Sequence, residues 1–88
     1  MKKTYHLCLS AGEEVLFRDL EDYHRGFNIF ALALYKTDSI GLVEAQMSTH
    51  SHQLIQTSDP KGFMFSFRNS YAKYFNRKYG RSGRLGED

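Results

Sequence analysis

A chain of 88 residues with a net charge of +2 and 41% hydrophobic residues has material for one modest domain and no second lobe. No stretch approaches the roughly 20 apolar residues of a membrane span, and Lys2-Lys3 leads into a mixed polar segment, unlike the apolar run of a signal peptide. The single cysteine excludes an internal disulfide and points to a reducing cytoplasm, while seven Phe and six Tyr without a Trp must supply much of the core.

Residues 4–11 alternate around Tyr5, Leu7 and Leu9, which predicts a first strand ending in a turn at Ala11-Gly12-Glu13. Cys8, within that apolar strand, is expected to be a buried and inert thiol. Asp19 suits a helix N-cap, with Glu21 and Asp22 in the first turn where the helix dipole favours acids. Leu20, Tyr23, Phe27, Phe30, Ala31 and Leu34 then recur at three- and four-residue spacing and predict the buried stripe of a helix reaching about Lys36. Gly26 inside it forfeits about 1 kcal/mol relative to alanine, which points to close packing or a bend. Residues 40–47 read as a second strand, with Leu42, Glu44 and Gln46 on one face and Val43, Ala45 and Met47 on the other. Ser48-Thr49 is too short a break before the third strand, 50–57, for anything but an antiparallel hairpin. Asp59 and Pro60 open a second helix as N-cap and first helical residue. Its apolar face carries Phe63, Met64, Phe67, Tyr71, Tyr74 and Phe75, with Asn69, Lys73 and Asn76 opposite, and it stops at Gly80 before a glycine-rich basic tail, 81–88. The order β-α-β-β-α predicts an α+β fold: a ferredoxin-like antiparallel sheet with helices, lacking the strand that would follow the second helix.

Charge is unevenly placed. Residues 1–60 hold five Lys/Arg against eight Asp/Glu (−3), and residues 61–88 hold seven against two (+5). A basic block on one element is the footprint expected for phosphate backbones, with a merely solvated helix face as the alternative. Arg68, Lys73, Arg77, Lys78, Arg81 and Arg84 are its candidate nucleic-acid contacts. His50 and His52, one residue apart in an extended segment, project from one face and offer two neutral nitrogens to a single divalent cation; otherwise they are a solvated strand pair. His6, His24, Tyr71 and Tyr74 read as structural or solvated. Tyr79, at a helix end, is expected to be more exposed than the other two tyrosines of that helix.

Taken together, Tyr5-His6-Leu7, Val15-Leu16-Phe17, Asp22-Tyr23, the run from Met47 to His52 and the block from Tyr71 to Leu85 resemble the single-tyrosine HUH transposases, in particular the REP-associated and related insertion-sequence type. The resemblance runs through nearly the whole chain. It implies a DNA-strand transferase in which the paired histidines and one further polar ligand hold Mg²⁺ or Mn²⁺. A tyrosine from a late helix then attacks the scissile phosphate and leaves a 5′-phosphotyrosine link. It also implies single-stranded or hairpin DNA as partner, a homodimer, and a bacterial cytoplasmic protein that is nucleoid-associated when bound to DNA. Two departures stand out. The middle residue of the histidine motif is Ser51 where the family has a hydrophobic one, and the late helix with its tyrosine and further ligand has no counterpart in this sequence. Residues 1–88 therefore read as a single shortened HUH transposase-like domain that binds DNA, binds metal weakly, has no assigned catalytic residue and does not cleave. The alternatives are a non-enzymatic ferredoxin-like module for single-stranded nucleic acid and a degenerate self-associating remnant.

Overall fold

Burial alternates residue by residue along 50–57: Ser51, Gln53, Ile55 and Thr57 are buried, and the residues between them are not. A strand so patterned has one face against a packed layer and the other open. The computed structural model describes residues 1–12 and 14–85 and consists of β1 (Lys3–Ser10), α1 (Leu20–Lys36), β2 (Ile40–Met47), β3 (His50–Thr57) and α2 (Pro60–Tyr79). Glu13 of the expected turn and residues 86–88 of the tail lie outside the described residues.

β3 is the central strand, antiparallel to both neighbours in the order β1-β3-β2. β1 and β2 consequently run parallel to each other on either side of it, joined through α1, which is the split βαβ arrangement. The fold is α+β and consistent with a ferredoxin-like architecture, as the element order predicts. The hairpin turn does a second job: the Ser48 carbonyl accepts the N–H groups of Leu16 (2.7 Å) and Phe17 (3.0 Å), fixing the segment before α1 to the sheet.

The helices cover the inward face of the sheet. Leu9 and Ile55 meet Leu16 and Phe17 from the β1–α1 connection, Phe30 from α1, and Phe63, Phe67, Tyr71 and Phe75 from α2. Phe30 stands edge-on to both Phe63 and Phe67, the favoured aromatic geometry. The expected caps are in place. Asp19 accepts from the N–H of Asp22 at 3.0 Å, Asp59 accepts from that of Gly62 at 3.0 Å, and Gly80 ends α2 at φ 62°, where glycine has no steric penalty.

Three expectations are corrected. Cys8 is exposed, because Leu7 and Leu9 take the inward face and the residue between them must point the other way. β2 carries a bulge between Gly41 and Val43, so Gly41 and not Leu42 stands opposite Ile55 and the simple alternation of that strand fails. The buried stripe of α1 is Asp22, Gly26, Ile29, Phe30 and Ala33, whereas Leu20 (70%), Phe27 (58%) and Ala31 are exposed. Tyr79 is half-buried, like Tyr74, and more exposed than the fully buried Tyr71.

Gly26 explains the rotated stripe. A Cβ there would lie 2.6 Å from Gln46 Oε1 and 2.7 Å from Phe17 Cε1, so the close approach of α1 at this point depends on its glycine. Gln46 is itself tied to the Tyr23 carbonyl at 2.9 Å, and the Phe17 ring is buried, so neither gives way freely. Gly26→Ala is therefore expected to lower stability by about 1–3 kcal/mol from overpacking, against the roughly 1 kcal/mol that alanine gains in helix propensity. A urea midpoint at or above that of the wild type would show that α1 can shift instead.

Candidate functional site

The histidines lie on the open face. His52 stands opposite Cys8 on β1 and Ala45 on β2, and His50 opposite Ser10 and Met47. From β1, His6 reaches diagonally across the sheet, and its Nε2 lies 3.1 Å from His52 Nδ1. The two rings are inclined by only 18° with centroids 5.1 Å apart, about the span of two imidazoles joined edge to edge by one hydrogen bond, so they form an in-plane pair and not a face-to-face stack. His50 Nδ1 lies 3.2 Å from Thr49 Oγ1, and its ring is edge-on to that of His52 at 4.9 Å.

In both histidines, then, Nδ1 has a local partner and Nε2 has none among the described residues. The tautomer with the proton on Nδ1, donated to Thr49 Oγ1 in one case and His6 Nε2 in the other, leaves both Nε2 lone pairs free to ligate. Among the described residues no group of three or more His, Cys, Asp or Glu side chains is arranged to hold a metal ion. The donor set is therefore two nitrogens without a carboxylate. Such a set departs from the all-oxygen preference of Mg²⁺ and would leave water to complete the shell of any divalent ion held there.

On the helical side a second polar centre forms around Asp22, a fully buried acid of α1. Tyr74 and Tyr79 donate their hydroxyls to its two oxygens at 2.5 Å each, the Arg18 N–H donates at 2.9 Å, and Lys78 Nζ lies at 2.9 Å. Burial alone would raise this carboxyl, but the donors from Tyr74, Tyr79, Arg18 and Lys78 outweigh it and hold Asp22 at about 2. Lys78 also bonds Asp19 and Glu21 at 2.8 Å each; partial desolvation opposes its charge, yet the three carboxylates hold its pKa above the usual range. Burial, and then the Asp22 contact, pushes the Tyr74 phenol up to about 12, and the same causes raise Tyr79. Tyr71, also raised chiefly by burial, donates to the Leu16 carbonyl at 2.5 Å.

The six basic candidates are thus not equivalent. Lys78 is held by three acids, and Arg81 pairs with Glu14 at 2.9 Å and bonds Asn76 at 2.7 Å. Arg68 is half-buried, with Nε enclosed and lacking a hydrogen-bond partner, and Arg84 is exposed. Lys73 and Arg77 are exposed and face a cleft of about 450 Å³ between α1 and α2, to which α1 contributes Arg25 and Ile29. The histidine pair and these cations do not meet. His50 and His52 lie on the open face of the sheet, whereas Lys73 and Arg77 line the cleft between the two helices that cover its other face.

Sequence reasoning missed His6, Asp22 and Arg25 as site residues. His6 becomes part of the open-face cluster only through the β1–β3 register, which its sequence neighbourhood does not reveal. Asp22 carries a faint signal, an acid in a first turn that also falls on the inward stripe, but its side-chain partners Tyr74, Lys78 and Tyr79 lie more than 50 residues away. Among the described residues no helix is long and apolar enough to cross a membrane. No known family model matches the chain, and no curated protein does.

Proposed function

We propose that this chain is a DNA-binding domain of the HUH-transposase type, in which His50 and His52 hold Mn²⁺ through Nε2 and single-stranded or hairpin DNA is bound through the basic helical side. The observation that carries this reading is the pair of neighbouring imidazoles on the open face of the central strand, each with its Nδ1 held and its Nε2 unengaged among the described residues. A bound ion there would withdraw charge from a phosphate oxygen. Tyr71, Tyr74 and Tyr79 are poor candidates for a nucleophile: each donates its proton to a protein acceptor, each phenol is harder to ionise than usual, and all lie on the helical side. Binding without covalent cleavage is therefore the activity expected of residues 1–88.

A homodimer in a bacterial cytoplasm belongs to the same proposal. Its support is the uncovered sheet face, where Val43 and Met47 are exposed, together with the outer edges of β1 and β2, which pair with no strand among the described residues. The separation of histidines from cations favours one rival, a metal-independent module for single-stranded nucleic acid. Fluorescence anisotropy with a short labelled single strand, with and without Mn²⁺, tests the first reading, followed by a denaturing gel. The expected result is salt-sensitive binding and no band shifted by a covalent adduct. Absence of binding at low salt would defeat the DNA reading, and a covalent adduct would show that one of these tyrosines is reactive after all.

A further inference from the structure

The cleft between α1 and α2 carries more than diffuse basicity. Arg25 from α1 and Lys73 and Arg77 from α2 face one concavity, and none of the three forms an ion pair among the described residues. The acids that would be expected to neutralise them are already committed. Glu21 lines the cleft but is bonded to Lys78 at 2.8 Å, as are Asp19 (2.8 Å) and Asp22 (2.9 Å). Lys78 thus engages all three acids, although as one cation it offsets only part of their charge, and Arg25, Lys73 and Arg77 are left without an ion pair among the described residues around a space of about 450 Å³. The floor differs in character. Ile29 and the Tyr74 ring line it, and the Arg25 guanidinium lies 4.9 Å from the centre of that ring, so the cleft offers apolar and aromatic surface beneath its charges. Ser70 adds a hydroxyl donor.

We infer that this cleft is a phosphate-binding pocket sized for one nucleotide unit, with Arg25, Lys73 and Arg77 holding the phosphate and Tyr74 and Ile29 supporting the sugar or base. Guanidinium groups grip phosphate oxygens in bidentate fashion, and an aromatic floor accepts any base without reading its identity. The volume falls in the range of small-ligand sites, about 300–1,000 Å³. The identity of the ligand rests on the nucleic-acid reading above; the existence of an anion pocket does not. Because the cleft lies on the side away from His50 and His52, its occupancy is independent of metal.

The test compares wild type with Arg25→Glu, Arg77→Glu and a control, Lys61→Glu, whose residue is exposed at the start of α2 and outside the cleft. Lys73→Glu is the second variant should either arginine change disturb folding, which circular dichroism reports. The probes are labelled oligothymidylate with and without a 5′-phosphate, and inorganic pyrophosphate followed by amide NMR. Each cleft variant should weaken the oligonucleotide by about tenfold and lower its salt slope by roughly 0.7 for each phosphate no longer neutralised, with Lys61→Glu nearly unchanged. Equal weakening for both oligonucleotides identifies an internal phosphodiester as the occupant, and weakening confined to the phosphorylated one identifies a strand end. Pyrophosphate shifting cleft amides while no oligonucleotide binds would keep the pocket and remove the DNA reading. Wild-type affinity in all the cleft variants, or an equal weakening in Lys61→Glu, would overturn the pocket.

Discussion

Asp22→Ala is expected to destabilise the protein by about 3–5 kcal/mol, a large share of what a domain of this size has, because it removes the acceptor from four buried or half-buried donors at once. Tyr74, Tyr79, the Arg18 N–H and Lys78 all converge on this one carboxylate. Without it the two half-buried phenols must find other acceptors, and Lys78 keeps the exposed acids Asp19 and Glu21. Asp22→Asn, which preserves shape but offers one acceptor oxygen and no charge, should fall between the alanine variant and wild type. The same centre dictates the pH profile. A carboxyl held at about 2 contributes stability that is fully present above its ordinary value near 4 and is lost as pH falls towards 2. The raised phenols act in the opposite range: the folded state keeps protons that the unfolded state releases, so stability should decline as pH rises from about 10 to about 12. Chemical denaturation across pH checks both limbs. An Asp22→Ala midpoint within experimental error of wild type, or an unchanged acid limb in Asp22→Asn, would remove the carboxylate from its central place.

The second large effect concerns the open face. Wild type is expected to bind Mn²⁺ weakly, and His52→Ala to abolish detectable binding, since one remaining imidazole among waters has little advantage over free solvent. His50→Ala should do the same. His6→Ala is expected to be milder, roughly a tenfold loss, because His6 touches His52 Nδ1 and sets which nitrogen carries the proton without itself meeting the ion. Broadening of the imidazole resonances of His50 and His52 on Mn²⁺ addition provides a readout independent of any activity. Identical titrations for wild type and the His50→Ala/His52→Ala double variant would dismiss the metal proposal. A greater loss in His6→Ala than in His50→Ala would shift the ligand pair to His6 and His52.

Sequence signals are legible where local physics decides. Asp19, Asp59, Pro60 and Gly80 each act within one turn, the strand bounds 50–57 follow from alternation, and the two-residue turn sets where 40–47 ends. The same patterning puts His50 and His52 on one face, because a period of two survives any tertiary arrangement of a regular strand. Long-range packing decides the rest. Hydrophobicity ranks Leu20 and Phe27 above Asp22 and Gly26, yet a glycine permits the closest approach to the sheet, and a charge can be buried when four donors meet it. Cys8 is misplaced by averaging over an apolar strand instead of following its parity. The basic block is legible as net charge, but not which of its members are already neutralised, because Asp19, Glu21 and Glu14 lie far away in sequence.

The central position of β3 dictates the order in which the chain can assemble. β2 and β3 are joined by two residues, and such a hairpin closes within roughly 1–10 μs. β1 can pair only with β3, and even its nearest partners, Ser10 and His50, are about 40 residues apart. On the ribosome β1 and α1 therefore emerge well before the strand that completes their sheet, with Leu7 and Leu9 uncovered in the meantime. Closing that long loop, and not forming any single helix or turn, is the step expected to set the refolding rate, so substitutions along the β1–β3 seam should slow folding while those in α2 mainly speed unfolding.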